Sequence, residues 1–198
     1  MHMFNNIDYK SYKFSVDAIK EIEDIIKFST ILKMIDETTS TRCEVNEYVM
    51  NDNMFYEINV FNGKCNIFNR PKIKIDSLPR QTGKTTKLKK IMTEYILKDI
   101  KCCYITPTIR MAQEHMKMFE HRDKVVHGNV ECVLNSLRGC DFTSIGIFID
   151  EPFCINENEK DKFFEYLDIL EHKKIPYFVI GYGTEREKTN KRSFEYYI

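Results

Sequence analysis

Two short stretches of this 198-residue chain carry side chains suited to phosphate chemistry. The first runs Leu78-Pro79-Arg80-Gln81-Thr82-Gly83-Lys84-Thr85-Thr86. It matches G-x-x-x-x-G-K-[ST], except that Leu78 stands where the first glycine belongs. The chemistry survives that exception. Gly83 lets the backbone come close to an anion, and the N–H groups along Gln81, Thr82, Gly83, Lys84, Thr85 and Thr86 open a helix and form a nest for it. Lys84 has the reach for β- and γ-phosphates, and the Thr85 hydroxyl is a ligand for Mg²⁺. The second stretch, Ile145-Gly146-Ile147-Phe148-Ile149-Asp150-Glu151, is an apolar strand ending in two carboxylates. Asp150 is expected to hold the Mg²⁺ shell from the strand's C-terminal edge, where ligands sit in open α/β sheets. Glu151 is then the general base that polarises an attacking water, which favours hydrolysis over simple binding. Asn190-Lys191 continues into Arg192-Ser193, so the N-K-x-D guanine signature is lacking and ATP is the expected nucleotide.

Two further segments fit around these. Tyr177-Phe178-Val179-Ile180 is apolar and runs into Gly181-Tyr182-Gly183-Thr184-Glu185, which brings Thr184 or Glu185 towards a γ-phosphate. The same string also reads as an ordinary strand followed by a glycine turn. Thr106-Pro107-Thr108-Ile109-Arg110-Met111-Ala112-Gln113 offers hydroxyls and a helix start to a nucleic-acid backbone, or is simply a capped helix start.

The elements that must position these groups form two sections. From residue 72 onward, short apolar strands alternate with helices. Strands are expected over 72–77, 102–106, 124–127, 145–150 and 176–180, and helices over 84–98, 108–120, 130–137 and 158–172. Fully apolar strands separated by helices argue for an α/β fold, a mostly parallel sheet with helices on both faces. Residues 1–70 form an N-terminal appendage ahead of this 71–198 core. Val16, Ile19, Ile22, Ile26, Leu32 and Ile35 space an amphipathic helix over 16–36. Residues 37–53 are polar and read as a loop or short helix. Asn62-Gly63 joins two strand-like runs, as a hairpin turn with positive φ at both positions requires.

Composition removes several classes. Thirty basic and thirty acidic side chains cancel, so overall charge does not hold nucleic acid, although a local patch can. No apolar run is long enough to span a membrane, and the N-terminus lacks the apolar segment of a signal peptide. The seven cysteines contain no C-x-x-C, and the histidines at 115, 121 and 127 share no helix face pairwise. Reduced cysteines in a cytoplasmic protein, and no zinc site, are the expectation.

Together these motifs resemble the ATPase domain of large terminase subunits, the DNA-packaging motors of tailed phages and herpesviruses. Pro79 to Thr86 looks like that family's deviant Walker A. Leu137-Arg138-Gly139 ahead of Ile145 to Glu151 is similar to its approach to Walker B, and Gly181 to Glu185 sits where its coupling motif links hydrolysis to movement. Thr106 to Gln113 sits at motif Ia. The resemblance covers about residues 72–185 and implies a P-loop NTPase of the additional-strand (RecA-like) type, with strand order 5-1-4-3-2 or a truncated version. It implies ATP hydrolysis with Mg²⁺, driving translocation of double-stranded viral DNA. It makes Arg80 a cis-acting arginine at the γ-phosphate, with Arg138 a second candidate. Gly183, Thr184 and Glu185 become the coupling residues. The implied partners are double-stranded DNA, a portal or small terminase subunit, and further copies in a ring. The implied place is the host-cell cytoplasm. No nuclease carboxylates follow the coupling motif, so DNA cleavage is not expected.

Three other readings stay open. A superfamily 2 helicase-like lobe shares the motif Ia pattern but needs a second lobe or subunit to bring an arginine. A nucleotide-binding regulatory adaptor has no use for Glu151. A small-molecule kinase keeps the first glycine and carries a lid of clustered arginines. Lys87, Lys89 and Lys90, with Lys173, Lys174, Arg186, Lys188, Lys191 and Arg192, form either a DNA-facing edge or a solvated surface.

Overall fold

The structure, a computed structural model, describes residues 44–51, 54–61 and 64–184. The expected helix over 16–36, the Asn62-Gly63 turn, Glu185 and the basic residues after it lie outside the described residues. The chain divides into two compact units, Met1–Arg70 and Pro71–Ile198.

In the first unit, strands β1 (Glu44–Asn51), β2 (Met54–Phe61) and β3 (Lys64–Pro71) form one sheet in that order. β1 and β2 are antiparallel and pair along their whole length, from Glu44 opposite Phe61 to Asn51 opposite Met54. The reading of 37–53 as loop or short helix is therefore corrected for 44–51. The polar window as a whole argues against a strand, but Val45, Tyr48 and Val49 within it favour one and pair with the adjacent strand. Phe55, Tyr56, Glu57 and Ile58 are consecutive and all buried, so the middle of β2 is covered on both faces.

The second unit is an α/β layer structure around a five-stranded sheet, all of it parallel. Its strands are β4 (Ile73–Leu78), β5 (Lys101–Ile105), β6 (Val125–Gly128), β7 (Ile145–Asp150) and β8 (Tyr177–Thr184), ordered β4-β8-β7-β5-β6. β7 is buried over its full length, as a central parallel strand should be. The helices are α1 (Lys84–Ile96), α2 (Ile109–Met116), α3 (Val130–Leu137) and α4 (Glu157–His172). Right-handed crossovers carry α1 and α2 over one face, on the way from β4 to β5 and on to β6. The chain then turns back towards β7 and β8, so α3 and α4 cover the other face. Contacts agree with that division. Lys89 of α1 donates to the carbonyl of His115 in α2, and Asn129, which caps α3, donates to Glu159 of α4 at 2.9 Å. Among the described residues, no helix is long and apolar enough to cross a membrane.

β8 is longer than the expected 176–180. The strand continues through Gly181 and Gly183 to Thr184, paired with β4 up to Leu78. Both glycines are there for close approach rather than for a turn. A Cβ on Gly181 would come within 2.5 Å of Ile75 Cδ1, and one on Gly183 would enter the Phe153 ring. Beneath the strands, Tyr95 of α1 packs on Phe178 at 4.4 Å and near Phe148 at 6.3 Å, centroid to centroid. Aromatic pairs of this kind add roughly 0.5–1.5 kcal/mol each beyond area burial, and this cluster seats α1 against β7 and β8.

At the opposite end of the sheet from the loop that joins β4 to α1, the Glu171 carboxylate accepts from Lys72 Nζ and from the Tyr177 hydroxyl, each at 2.7 Å. The hydrogen bond from Lys72 is the main cause that holds this carboxyl below its ordinary range, against the opposing effect of burial. Its stabilisation is present above the unfolded-state carboxylate pKa and is lost as pH falls through the folded one. Glu171→Gln should therefore flatten the fall of Tm between about pH 5 and pH 3 relative to the wild type. An unchanged acid limb would remove Glu171 as a contributor.

Candidate functional site: the phosphate loop and two carboxylates

β4 ends at Leu78, and after the five residues 79–83 α1 begins at Lys84. The turn between them is tight: Gln81 has φ 59° and Gly83 φ 72°, both left-handed, and the Thr82 hydroxyl donates to Pro79 O at 2.9 Å. Glycine suits the second of these positions because a side chain there strains the backbone. Gly83 is also the N-cap of α1, with no side-chain cap and no acidic residue in the first turn. The first N–H groups of a 13-residue helix are thus left with their positive end uncompensated, which is the arrangement that takes an anion. Arg80, Gln81, Thr82 and Thr86 are exposed along this loop.

Three strand ends converge beside it. Lys84 is buried, and its ammonium lies 3.2 Å from Pro79 O, 3.0 Å from Thr184 Oγ1 and 3.3 Å from Glu151 Oε1. Thr85 Oγ1 donates to Asp150 Oδ2 at 2.5 Å. Glu151 follows β7 in a left-handed conformation, φ 55°. That backbone costs a non-glycine residue about 1–2 kcal/mol, and here it is held from several sides. The Glu151 N–H donates to Tyr182 O at 3.0 Å, the Thr184 N–H donates to Glu151 Oε2 at 2.8 Å, and the Thr184 hydroxyl donates to Oε1. Lys84, Thr85, Asp150, Glu151 and Thr184 therefore form one cluster, drawn from positions up to a hundred residues apart.

Asp150 sits deepest, 1% exposed. Burial pushes its carboxyl up, but hydrogen bonds from His115, Thr85 and Tyr104 together outweigh it and hold the group below its ordinary range. Burial, with the Asp150 charge and hydrogen bond behind it, raises the Tyr104 hydroxyl, so the tyrosine stays a neutral donor. Neither Tyr104 nor His115 stands out in the sequence. Tyr104 lies inside an apolar strand, and His115 is one of three evenly spaced histidines. A hydroxyl and an imidazole near strand and helix ends were the available signals, and neither is specific.

The other expected residues are distributed as follows. Gly183 lies in β8 under Phe153, next to Thr184, while Glu185 is outside the described residues. Arg138 lies just before β7 begins, in a groove with Cys140, Lys173 and Ile175, at the far end of the strand from Asp150. It is not beside the loop that joins β4 to α1. Thr106 is fully buried and its hydroxyl donates to Thr108 O at 2.8 Å, while Thr108 caps α2 by accepting from the Met111 N–H at 3.2 Å. Both hydroxyls serve the local turn. Lys89 leaves the basic cluster, because it is part-buried and bonded to the His115 carbonyl; Lys87 and Lys90 remain exposed.

The donors fit a magnesium ion brought in with a nucleotide. Thr85 and Asp150 offer two hard oxygens beneath the loop, and Mg²⁺ uses few protein ligands, keeping waters and phosphate oxygens for the rest. Among the described residues no group of three or more His, Cys, Asp or Glu side chains forms a cage for a metal by itself. No protein-family model and no curated protein matches this chain.

Proposed function

We propose that the second unit is a P-loop ATPase of the additional-strand type, a terminase-like motor that hydrolyses ATP to move double-stranded DNA. The observation that carries the reading is the meeting of Lys84 and Thr85, at the start of α1, with Asp150 and Glu151, at the end of β7. The sheet order supports it. Taking β4 as the strand of the phosphate loop, β7 as that of the carboxylates and β8 as that of the coupling segment, β4-β8-β7-β5 reads 1-4-3-2. β6 then adds a strand beyond the usual edge. Over those four strands the order is the 1-4-3-2 part of the one that the resemblance implies, and no strand flanks β4 among the described residues.

In this reading the loop N–H groups and Lys84 bind the phosphates. Thr85 and Asp150 hold Mg²⁺, which when bound neutralises phosphate charge. Glu151 accepts the proton of the attacking water. Thr184 touches both Lys84 and Glu151 and so registers which of them is engaged. Arg80, exposed in the loop, is free to approach the γ-phosphate as the cis arginine. Lys87 and Lys90 on α1 supply the basic surface nearest the site.

Release of phosphate from ATP by the purified chain, with and without double-stranded DNA at low salt, tests the reading. Turnover that rises several-fold with DNA and falls back as salt is added is the expected result. Turnover indifferent to DNA sinks the translocation part. Tight ATP binding with no turnover in either condition favours the regulatory adaptor instead.

A further inference from the structure

A buried carboxylate that ligates a cation has to be aimed, and three donors converge on one oxygen of Asp150. Thr85 Oγ1 lies 2.5 Å from Oδ2, the Tyr104 hydroxyl 2.8 Å and His115 Nδ1 3.3 Å. Thr85 belongs to the phosphate-loop helix. Tyr104 and His115 come from β5 and α2, elements with no other part in the site.

The hydrogens in this group can be counted. Ionised Asp150 only accepts, so the single proton of the Tyr104 hydroxyl is used on Oδ2. His115 Nδ1 is 2.9 Å from the same hydroxyl and must donate to it. A neutral His115 is therefore the Nδ1–H tautomer, with its one donor shared between Tyr104 and Asp150. Both supports are fixed in turn. Tyr104 is fully buried in β5, where it stands beside Phe148 of β7. The carbonyl of His115 itself accepts from Lys89, which ties that end of α2 to α1.

We propose that Tyr104 and His115 are positioning residues that hold the Asp150 carboxylate in one orientation and thereby set the affinity of the site for a divalent cation. The inference rests on the reading of Asp150 as a metal ligand given above. Side chains that orient a metal ligand typically change metal affinity or activity about 10–100-fold when removed.

The probe is Mn²⁺, counted as free ion by its EPR signal, titrated into the full-length chain with ADP bound. Nucleotide affinity is measured separately in EDTA. Tyr104→Phe, which keeps the ring, and His115→Ala should each weaken Mn²⁺ binding roughly 10-fold or more. Affinity for metal-free ADP should not move. His115→Asn, whose amide can put an N–H near the place of Nδ1, should recover most of the loss. Asp150→Asn separates the two readings. If it binds Mn²⁺ as the wild type does, Asp150 is not a ligand, and this inference falls with that assignment. If it loses Mn²⁺ while Tyr104→Phe and His115→Ala keep wild-type affinity, the positioning role alone is overturned. Equal weakening of Mn²⁺ and metal-free ADP would mark the pair as merely structural and also overturn it.

Discussion

Glu151→Gln is expected to bind ATP and fail to turn it over. A positioned general base contributes about 10²–10⁴-fold to a rate, so kcat should fall by that order, equivalent to roughly 3–5 kcal/mol in the barrier. The substitution keeps the shape of the side chain. The amide oxygen can still accept from the Thr184 N–H, which now lies 2.8 Å from Oε2. What it removes is the negative charge 3.3 Å from Lys84. Freed of that partner, the lysine should turn to phosphate more readily, so ATP should bind at least as tightly as to the wild type. Single-turnover phosphate release and a fluorescent-nucleotide titration read the two quantities separately. Hydrolysis at the wild-type rate would remove Glu151 as the base.

Lys84→Ala should do the reverse, weakening binding ahead of chemistry. Hydrogen bonds to charged groups are worth about 1.5–3 kcal/mol, which converts to a loss of roughly 10–100-fold in ATP affinity, with the lost long-range attraction of the cation added to it. Calorimetric titration of ATP measures this directly. The fold should tolerate the change better than the site does. Glu151 keeps its two bonds from Thr184, and the left-handed turn keeps its backbone bond to Tyr182. A variant with near-native Tm and ATP affinity lowered by at least that factor is the expected pair of results. Unchanged affinity would mean that the loop does not hold phosphate.

The parts of this site that are legible in the sequence are those confined to one strand-to-helix junction. Gly83-Lys84-Thr85 and Asp150-Glu151 are contiguous, and a strand ahead of each, alternating before the first and apolar before the second, fixes where the side chains emerge. Thr184 is legible for the same reason, at the end of Tyr177 to Ile180. Tyr104 and His115 are not, because their role depends on β5 lying beside β7 and on α2 crossing the same face as α1. That adjacency is a property of the sheet order, which local pattern does not encode. The strand at 44–51 is hidden for a related reason: Val45, Tyr48 and Val49 are strand formers, but they sit at the end of a polar stretch, and the partner that supplies the ladder is not visible locally. The length of β8 was obscured by its glycines. They suggest a turn until one sees that Ile75 and Phe153 occupy the space where side chains would stand.

The contact between Phe153 and Gly183 has a mechanical consequence. Phe153 belongs to the short 3-10 turn Pro152–Cys154 that directly follows Glu151, and its ring lies against the backbone of β8 one residue before Thr184. The Glu151 carboxylate and the Thr184 hydroxyl that contacts it are thus mounted on two segments pressed face to face. The bare Gly183 backbone is what lets the Phe153 ring approach this closely, so a displacement at the tip of β8 is expected to press on the turn that carries Glu151. If the second unit is the ATPase proposed above, a force that shifts the tip of β8 would reach Glu151 as well as Thr184.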